Sequence, residues 1–511
     1  MLSFAVAIFL ALRHGQDLNW DRKNYHLGVA ATISRGAFWE SLFPAGIQSY
    51  FDPLLLQAQF YLMERVGPRS FAVITALAQS LAFIGAGFTC MAVARQTTEP
   101  TRPIFSTIAG FLGFLLCLFA PVALSELGTT FIDLSSGALV IGAFALLLVR
   151  EERLGRVALA GALVGAATAF KLTNGLFAIG GAAFSLAGPE RWPRRLVWLS
   201  VFGAAALVLF AVIAGPWHLE LWRRFHNPFF PYFNTIFHSP DFPAISLRDD
   251  RFLPTSPLDI WLYPWHWLMS DSPRSGVATP STEVPFQDIR WAALAFGATI
   301  YALALAALPR WRRQKLAEPT TGLFFAILAS YLLWLAAFGI HRYLIPIDIL
   351  CGAALLYLCQ QIPWPRWRLA ILCGLAIASF ATMRLPEWGH IPFGRDLRAV
   401  ETAAPLDPGP AIVFLTRKPE FYVAASFPAS WRYVGLYEDY DVFVPQNGGF
   451  GGLLAAMLAE KPAPALKALS IGAFPPFSQT VLARFGLTIS NQCQSLGIAD
   501  DSFQLCDVKR Q

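Results

Sequence analysis

Charged residues are scarce in this sequence. Asp, Glu, Lys and Arg together make up 14% of the 511 residues, whereas 55% are hydrophobic. Such a composition argues against a soluble protein of this length, because it leaves too little polar side chain to cover the surface. It indicates instead a polytopic membrane protein.

Metal-binding patterns are also missing. The seven cysteines include no Cys-x-x-Cys pair and no His/Cys cluster, so we predict no metal site. A thiol within an apolar stretch behaves as a small hydrophobic group, and this applies to Cys90, Cys117, Cys351, Cys359 and Cys373. Cys493 and Cys506 lie in a more polar segment and could form a disulfide if that segment is exported.

Apolar stretches recur along the first three quarters of the chain. About eleven of them suit membrane spans of roughly 20 residues, although several are short. They lie near residues 2–13, 70–94, 104–125, 132–150, 157–170, 172–187, 196–216, 289–308, 321–339, 344–362 and 368–384. A cleaved signal peptide is the alternative for the first stretch, but it has no basic n-region and no small-residue cleavage site.

The loops between these stretches differ in basic charge. Loops 95–103, 150–156, 189–195, 309–319 and 363–368 hold 14 Lys and Arg in 40 residues, and the opposite loops hold 12 in 143. The positive-inside rule therefore places the first set in the cytoplasm and the opposite set outside. The net charge of +6 largely reflects this asymmetry, so we predict no nucleic-acid partner.

The predicted organisation has two parts. Residues 1–384 form the membrane domain, with external loops 14–69 and 217–288. The later part of the first loop suits an interfacial amphipathic helix. The Trp-rich second loop suits either an interfacial aromatic belt or an aromatic wall around a sugar or lipid. Residues 385–511 contain the short β-type runs AIVFL and WRYVGLY, and they predict a small extracytoplasmic α/β domain.

Acidic residues lie at the external ends of the spans. Asp21 belongs to the run DLNWDRKNYH with Tyr25 and His26, and Glu126 and Asp133 occupy the run SELGTTFID. An ionisable residue at a span edge is a candidate functional group. A partly desolvated carboxylate can accept a proton from a hydroxyl. A solvated loop or a helix cap is the alternative for any one of them.

Basic residues gather at the same predicted face. Lys171 lies between two short apolar stretches, and His341, Arg342 and Tyr343 stand at another external edge. Snorkelling to lipid headgroups would explain each one alone. Together with the acidic groups they favour a bound phosphate, since arginine suits bidentate phosphate contacts. A membrane-embedded polyprenyl-phosphate sugar would supply such a phosphate.

At these residues the chain resembles the polytopic, lipid-sugar-dependent glycosyltransferases of the GT-C superfamily. The similar elements are DRKNYH, the turn from Glu126 to Asp133, the lysine in AATAFKLTNG and HRYLIP. The run HNPFFPYFN looks like the Asn-Pro-x-x-Pro segment of a bacterial branch. The resemblance covers roughly residues 1–384. It implies an acidic base in the first loop, a polyprenyl-phosphate sugar donor and an extracytoplasmic active site.

We therefore expect a multi-pass glycosyltransferase of a bacterial inner membrane, with its active site facing the periplasm. Asp21 is the expected general base, and Asp17 is the less favoured choice because Asp21 fits the Tyr-His spacing better. Glu126 and Asp133 are further catalytic candidates. The expected substrate-binding residues are Asp17, Tyr25, His26, Lys171, His341, Arg342 and Tyr343.

Several alternatives stay open. The first loop has Asp-Arg in place of the Asp-Asp or Asp-Glu pair. We therefore expect no cofactor, and a divalent metal, which some members of the superfamily use, stays possible but unsupported. Lipid A, a protein, a glycan or a hopanoid-like lipid could be the acceptor. A transporter or flippase of lipid-linked sugars is the main alternative function, and it would place ionisable groups near the bilayer midplane. A scaffold for envelope assembly is a third.

Overall fold

The computed structural model describes residues 1–97, 103–149, 154–187, 191–245, 247–268, 281–308, 319–394, 396, 399–437 and 449–511. Parts of the predicted cytoplasmic loops 95–103, 150–156, 189–195 and 309–319 lie outside these ranges. The chain divides into two compact units. The helical unit comprises Met1–His14, Ala72–Gly215 and Arg248–Trp388, and the sheet unit comprises Gly15–Phe71, Pro216–Leu247 and Gly389–Gln511.

Helices account for most of the helical unit. The α-helices with residues in it are Leu2–His14, Pro68–Gln79, Leu81–Thr97, Pro103–Leu118, Pro121–Ser125, Asp133–Leu147, Leu154–Phe170, Leu176–Ala187, Trp192–Phe225, Asp259–His266, Arg290–Ala307, Pro319–Ala337, Ile345–Gln360 and Pro365–Thr382. Short 3-10 helices span Leu172–Gly175, Asp250–Phe252 and His341–Leu344. A helix overlaps each of the eleven predicted spans, so the prediction of a helical polytopic protein is confirmed.

Length and composition separate the helices into two groups. Five described stretches are long and apolar enough to cross a membrane, namely Pro68–Gln96, Trp192–Phe225, Arg290–Ala307, Thr320–Ala337 and His341–Gln360. The apolar helices at several other predicted spans have 10–17 residues. The number of eleven membrane crossings therefore stays a prediction.

Burial shows which spans lie inside the helical unit. The most apolar window of His341–Gln360 is 94% buried, whereas that of Trp192–Phe225 is only 6% buried. An apolar helix with so little protein around it suits contact with lipid. Gly161 and Gly165, four residues apart, let helix Leu154–Phe170 approach closely, because an added Cβ at either would lie 2.1 Å from a backbone oxygen of Phe202 or Ala206. Small residues commonly serve this purpose between membrane helices.

The sheet unit contains two sheets among its described residues. β1 (Gln16–Asp17) pairs antiparallel with β3 (His390–Ile391). The larger sheet has the order β4-β8-β9-β7-β5-β6. Its strands are β4 (Val400–Thr402), β5 (Ala411–Leu415), β6 (Trp431–Gly435), β7 (Ala465–Ile471), β8 (Leu487–Ile498) and β9 (Asp501–Arg510), while β2 is Pro44–Ile47. β5 is parallel to β6 and β7, and the other neighbours are antiparallel.

The helices of the sheet unit are short. Among the described residues they are the π-helix Arg22–His26, the α-helices Leu27–Ser34, Leu54–Arg65, Asn234–Phe237, Gly449–Leu458 and Pro476–Arg484, and the 3-10 helices Phe38–Glu40, Gln48–Tyr50 and Phe421–Ala425. The run AIVFL forms β5 and is buried throughout, as expected of a central parallel strand. The predicted C-terminal α/β structure is confirmed. Cys493 and Cys506, whose pairing the sequence left open, form a disulfide between β8 and β9.

The Asn-Pro-x-x-Pro run forms a compact turn in the sheet unit. Asn227 accepts a hydrogen bond from the backbone N–H of Phe229 at 2.9 Å and donates one to the carbonyl of Tyr232 at 2.9 Å. Asn234 accepts from the N–H of Ser239 at 2.7 Å. The ring of Phe230 is buried and stacks on that of Phe225, with ring centroids 4.0 Å apart. Much of the polarity and aromaticity of this run therefore stabilises local structure.

Candidate functional site

Four chain segments of the helical unit bring together a mixed-charge group that we call the open cluster: Glu126, Asp133, Lys171 and Arg342. Glu126 follows the short helix Pro121–Ser125, and Asp133 begins the helix Asp133–Leu147. Gly128 allows the tight turn between them, since its φ of +83° is in the left-handed region. The other two members lie where the backbone breaks between apolar helices.

An ion pair forms the centre of the open cluster. The Lys171 ammonium lies 2.5 Å from Oδ1 of Asp133, and their side chains are 18% and 3% exposed. The same ammonium lies 4.4 Å from the ring centroid of Tyr343, at cation–π distance. Lys171 therefore keeps limited solvent access while its charge is balanced by Asp133. That combination suits a cation that can exchange one anion for another.

Glu126 supports this pair from a buried position. Its Oε2 accepts the backbone N–H of Leu134 at 3.1 Å, which satisfies one amide at the start of the following helix. Its Oε1 and the Oδ2 of Asp133 are buried with no hydrogen-bond partner among the described residues. Burial and the neighbouring Asp133 carboxylate raise the pKa of Glu126 well above its ordinary value. The Glu126 carboxyl is therefore held towards its neutral, proton-donating form.

Arg342 lies against acidic and aromatic groups. Its Nε is 3.1 Å from Oε2 of Glu283, and its side chain is 6% exposed. The guanidinium carbon lies 4.5 Å from the ring centroid of Phe131 and 5.5 Å from that of Trp388. Trp388 in turn donates to the hydroxyl of Ser125 at 2.8 Å. A guanidinium supported by aromatic rings keeps a defined orientation, which planar recognition of an anion requires.

His341 faces a different environment from its neighbour Arg342. Its ring lies 4.4 Å from that of Trp267 and 4.5 Å from that of Phe286, and it is buried. Its Nε2 is 3.7 Å from Oδ1 of Asp348. The sequence groups His341 with Arg342 as a substrate-binding residue, but its ring packs inside the helical unit.

Asp288, Arg290, His341 and Asp348 form what we call the closed cluster. The Arg290 side chain is fully buried, and its Nη2 lies 2.5 Å from Asp288 and 2.7 Å from Asp348. Its Nη1 also donates to the carbonyls of Leu116 and Asp348, at 3.0 and 3.1 Å. These partners satisfy most donors of the guanidinium. The closed cluster has the contacts of a structural element that joins helices.

Several of these groups were not predicted from the sequence, although some signals were present. Asp348 is an acidic residue inside the apolar run LIPIDIL, and Arg290 begins another apolar stretch. Ionisable residues within spans usually pair with one another, so the two could have been matched. Glu283, Phe131 and Trp388 carry no sequence signal of this kind, because their relevance depends on their contacts with Arg342.

The acidic segment of the first loop lies in the sheet unit. Asp17 accepts hydrogen bonds from the backbone and side-chain amides of Asn19, at 3.0 and 2.8 Å. Asn19 in turn accepts the backbone N–H of Arg22 at 2.8 Å and thereby starts the helical segment that follows. Asp17 thus orders the loop. The Tyr25 hydroxyl lies 3.5 Å from Oδ2 of Asp21, and both residues are buried.

The remaining predicted residue of this loop, His26, ends a π-helix. The π-helix spans Arg22–His26, and the ring of His26 lies 4.4 Å from that of Tyr25 in an edge-on arrangement. Single π-turns are frequent at functional sites. Within the described residues, no group of three or more His, Cys, Asp or Glu side chains could hold a metal ion.

Comparisons with known proteins identify the fold. No protein-family model matches the chain, and no curated protein sequence matches it. Solved structures do match. ArnT from Cupriavidus metallidurans bound to undecaprenyl phosphate aligns with a TM-score of 0.54 at 15% identity, over 99% of this chain and 97% of that one. ArnT from the same organism in the apo state aligns with a TM-score of 0.48 at 14% identity, over the same shares.

The similarity to undecaprenyl-phosphate-bound ArnT extends over nearly the whole chain, including the C-terminal segment beyond residue 384. The predicted fold class, a helical protein with several apolar candidate spans and a C-terminal α/β segment, is therefore confirmed. At 15% identity the likeness concerns the fold.

Proposed function

We propose that this protein is a glycosyltransferase that moves a sugar from a polyprenyl-phosphate donor to an acceptor at the periplasmic face of a bacterial inner membrane. The open cluster is the observation that carries the proposal. It presents two cations and two carboxylates with unpartnered oxygens, in a chain whose fold matches a protein that binds undecaprenyl phosphate.

The donor is a phosphodiester with one negative charge, and the departing polyprenyl phosphate carries a second. Lys171 and Arg342 supply positive charge where this second charge develops, which is the kind of interaction that lowers a barrier. Asp133 balances Lys171 before the donor binds. Glu126, held towards its neutral form, can donate a hydrogen bond without adding a repulsive charge.

Asp21 is the proposed general base. The acceptor hydroxyl attacks the anomeric carbon, and the bond from that carbon to the phosphate oxygen breaks with both electrons leaving on the phosphate. The hydroxyl proton passes to Asp21. A single displacement of this kind inverts the anomeric configuration. Asp21 is favoured over Asp17 because it fits the spacing to Tyr25 and His26 better, while Asp17 orders the loop by accepting the two amides of Asn19.

The test uses the full-length protein in liposomes with an undecaprenyl-phosphate sugar and candidate acceptors. Release of undecaprenyl phosphate and transfer of sugar are both followed. Asp21→Asn should lower turnover by on the order of 10²–10⁴-fold, the usual contribution of a general base. Asp17→Asn serves as the matched acidic variant of the same loop, and it should lower the melting temperature as well as the activity.

Three results would contradict parts of the proposal. Equal turnover by wild type and Asp21→Asn would exclude Asp21 as the base. Absence of sugar transfer with every acceptor tried, together with movement of the lipid-linked sugar between leaflets, would favour the transporter. Transfer that depends on an added divalent metal and is abolished by chelation would contradict the metal-independent scheme.

A further inference from the structure

We infer that Asp501 is a positioning residue for the proposed reaction: it holds Lys23, and through Lys23 the turn that carries Asp21. All three residues lie in the sheet unit. The inference rests on the proposed function, because it assigns Asp21 the role of base. It concerns how a strand some 480 positions further along the chain sets the orientation of a loop near the N-terminus.

The contact between these segments is a well-defined ion pair. The Lys23 ammonium lies 2.9 Å from Oδ2 and 3.2 Å from Oδ1 of Asp501. Both side chains are mostly buried, at 18% and 17% exposure. A pair with so little solvent around it is screened less than one at the surface. It therefore restrains the lysine more than an exposed pair would.

Tyr422 fixes Asp501 from the other side. Its hydroxyl lies 2.5 Å from Oδ2 of Asp501 and 3.2 Å from the carbonyl of Ile498. Burial, together with the adjacent Asp501 carboxylate, raises the pKa of Tyr422, so the phenol stays a donor. Asp501 begins β9 directly after a tight turn, in which Ala499 has a φ of 56°. The carboxylate therefore sits on an ordered hairpin.

Lys23 transmits this restraint to the acidic turn. It is the second residue of the π-helix Arg22–His26, and its backbone N–H donates to the carbonyl of Asn19 at 3.1 Å. Asp21 lies between Asn19 and Lys23 in the chain. Restraining the lysine side chain thus limits rotation of the turn in which Asp21 is found.

Two further contacts press the same segment against the 3-10 helix Phe421–Ala425. Gly28 approaches it so closely that an added Cβ would lie 2.4 Å from the carbonyl oxygen of Phe421. The Arg35 guanidinium donates to the carbonyls of Ala424 and Ala425, at 2.7 and 2.9 Å. The helix after the acidic turn is thus held along its length, and of the Lys23, Gly28 and Arg35 contacts that of Lys23 lies nearest to Asp21 in the chain.

The hairpin offers a matched control. Asp507 also lies on β9, and it pairs with Lys467 at 3.0 Å, with side-chain exposures of 51% and 20%. That pair joins β9 to β7 and includes no residue of the first loop. Asp501→Asn and Asp507→Asn therefore remove the same charge from the same strand, but only the first change releases Lys23.

The experiment compares these variants in the full-length protein. We expect Asp501→Asn to lower kcat by on the order of tenfold to a hundredfold, since small misplacements of reacting groups have costs of this size. The KM for the undecaprenyl-phosphate sugar should stay unchanged. Amide hydrogen exchange should become faster in peptides covering residues 19–27. Asp507→Asn should change neither kcat nor that exchange.

Variants of Lys23 sharpen the test. Lys23→Arg keeps the ion pair and should retain activity, whereas Lys23→Met should reproduce Asp501→Asn. The double variant Lys23→Met with Asp501→Asn should be no worse than either single one, because both remove one interaction. Additive losses, or exchange in residues 19–27 that matches Asp507→Asn, would overturn the inference.

Failure of the inference and failure of the proposed function give different results. If wild type transfers no sugar, the proposed function is wrong, and hydrogen exchange still decides whether Asp501 orders the turn. If wild type transfers sugar and Asp501→Asn does so equally well, the proposed function stands and the positioning role is wrong.

Discussion

The helical unit contains two charged clusters of similar composition whose central cations differ in exposure and in the number of their partners. In the closed cluster, Arg290 is fully buried and bonds two carboxylates and two backbone carbonyls. In the open cluster, Lys171 keeps 18% exposure, and two carboxylate oxygens have no hydrogen-bond partner among the described residues. Arg342 and His341 are neighbours in the chain, yet each contributes to a different cluster.

The contrast indicates which cluster is built for binding. A buried charge is tolerated when it is paired and hydrogen-bonded, and the Arg290 guanidinium meets this condition. Oδ2 of Asp348 and both ring nitrogens of His341 have no hydrogen-bond partner among the described residues, so the clusters differ in the pairing and exposure of their cations. Buried polar atoms without a hydrogen-bond partner in a folded protein call for an explanation. A bound ligand that supplies the missing hydrogen bonds is one such explanation. Three predictions test whether the closed cluster stabilises the fold and the open cluster binds a ligand.

The largest expected effect follows from removing the central charge of the closed cluster. Arg290→Met would leave Asp288 and Asp348 buried side by side without a cation. Breaking a buried ion pair in this way typically costs about 3–5 kcal/mol. We expect a large drop in melting temperature and poor recovery of folded protein, measured by thermal unfolding in detergent.

A compensated variant is the control for this change. Arg290→Met combined with Asp288→Asn and Asp348→Asn removes all three charges, and it should regain much of the lost stability. A wild-type melting temperature in Arg290→Met alone would show that the closed cluster does not stabilise the helical unit.

The second effect concerns binding at the open cluster. Lys171→Gln and Arg342→Gln should each lower turnover by on the order of 10²–10³-fold, the usual cost of removing one group that stabilises developing charge. Both proteins should fold. Undecaprenyl phosphate should raise the melting temperature of wild type, because a ligand that binds the folded state stabilises it. Neither variant should show that shift.

Lys467→Gln is the cationic control, since Lys467 lies in the sheet unit and pairs with the exposed Asp507. It should keep both the turnover and the ligand-induced shift. An unchanged ligand-induced shift in Lys171→Gln and Arg342→Gln would remove the basis for calling the open cluster a phosphate site.

The smallest effect is expected at Glu126. Its pKa is raised in the folded protein, so the neutral carboxyl group contributes to the stability of the fold at low pH. This contribution is lost as the pH rises through the pKa that Glu126 has in the folded protein. Glu126→Gln keeps the acceptor for the Leu134 amide and cannot ionise. We expect near-normal activity and a melting temperature that declines less at alkaline pH than that of wild type. Parallel pH profiles for the two proteins would contradict this assignment.

The candidate site could be predicted from the sequence only in part. Lys171, Arg342, Glu126 and Asp133 stand out because each is an ionisable residue beside or between apolar stretches at the predicted external ends of the spans. Their pairing does not stand out: nothing in the sequence matches Lys171 with Asp133, which is 38 residues away. His341 illustrates the opposite problem, since adjacency to Arg342 gives no information on which way a side chain points in a 3-10 turn.

Composition and periodicity alone determined that this chain is a helical membrane protein with a mixed α/β segment at its C-terminal end. These properties depend on local hydrophobicity, which each stretch of sequence carries by itself. Only the tertiary structure decided which charged groups pair with one another and how exposed they are, and that Asp501 of β9 pairs with Lys23 close to Asp21. Such pairings arise between residues far apart in the chain, and they depend on burial and distance, which exist only once the helices and strands have packed.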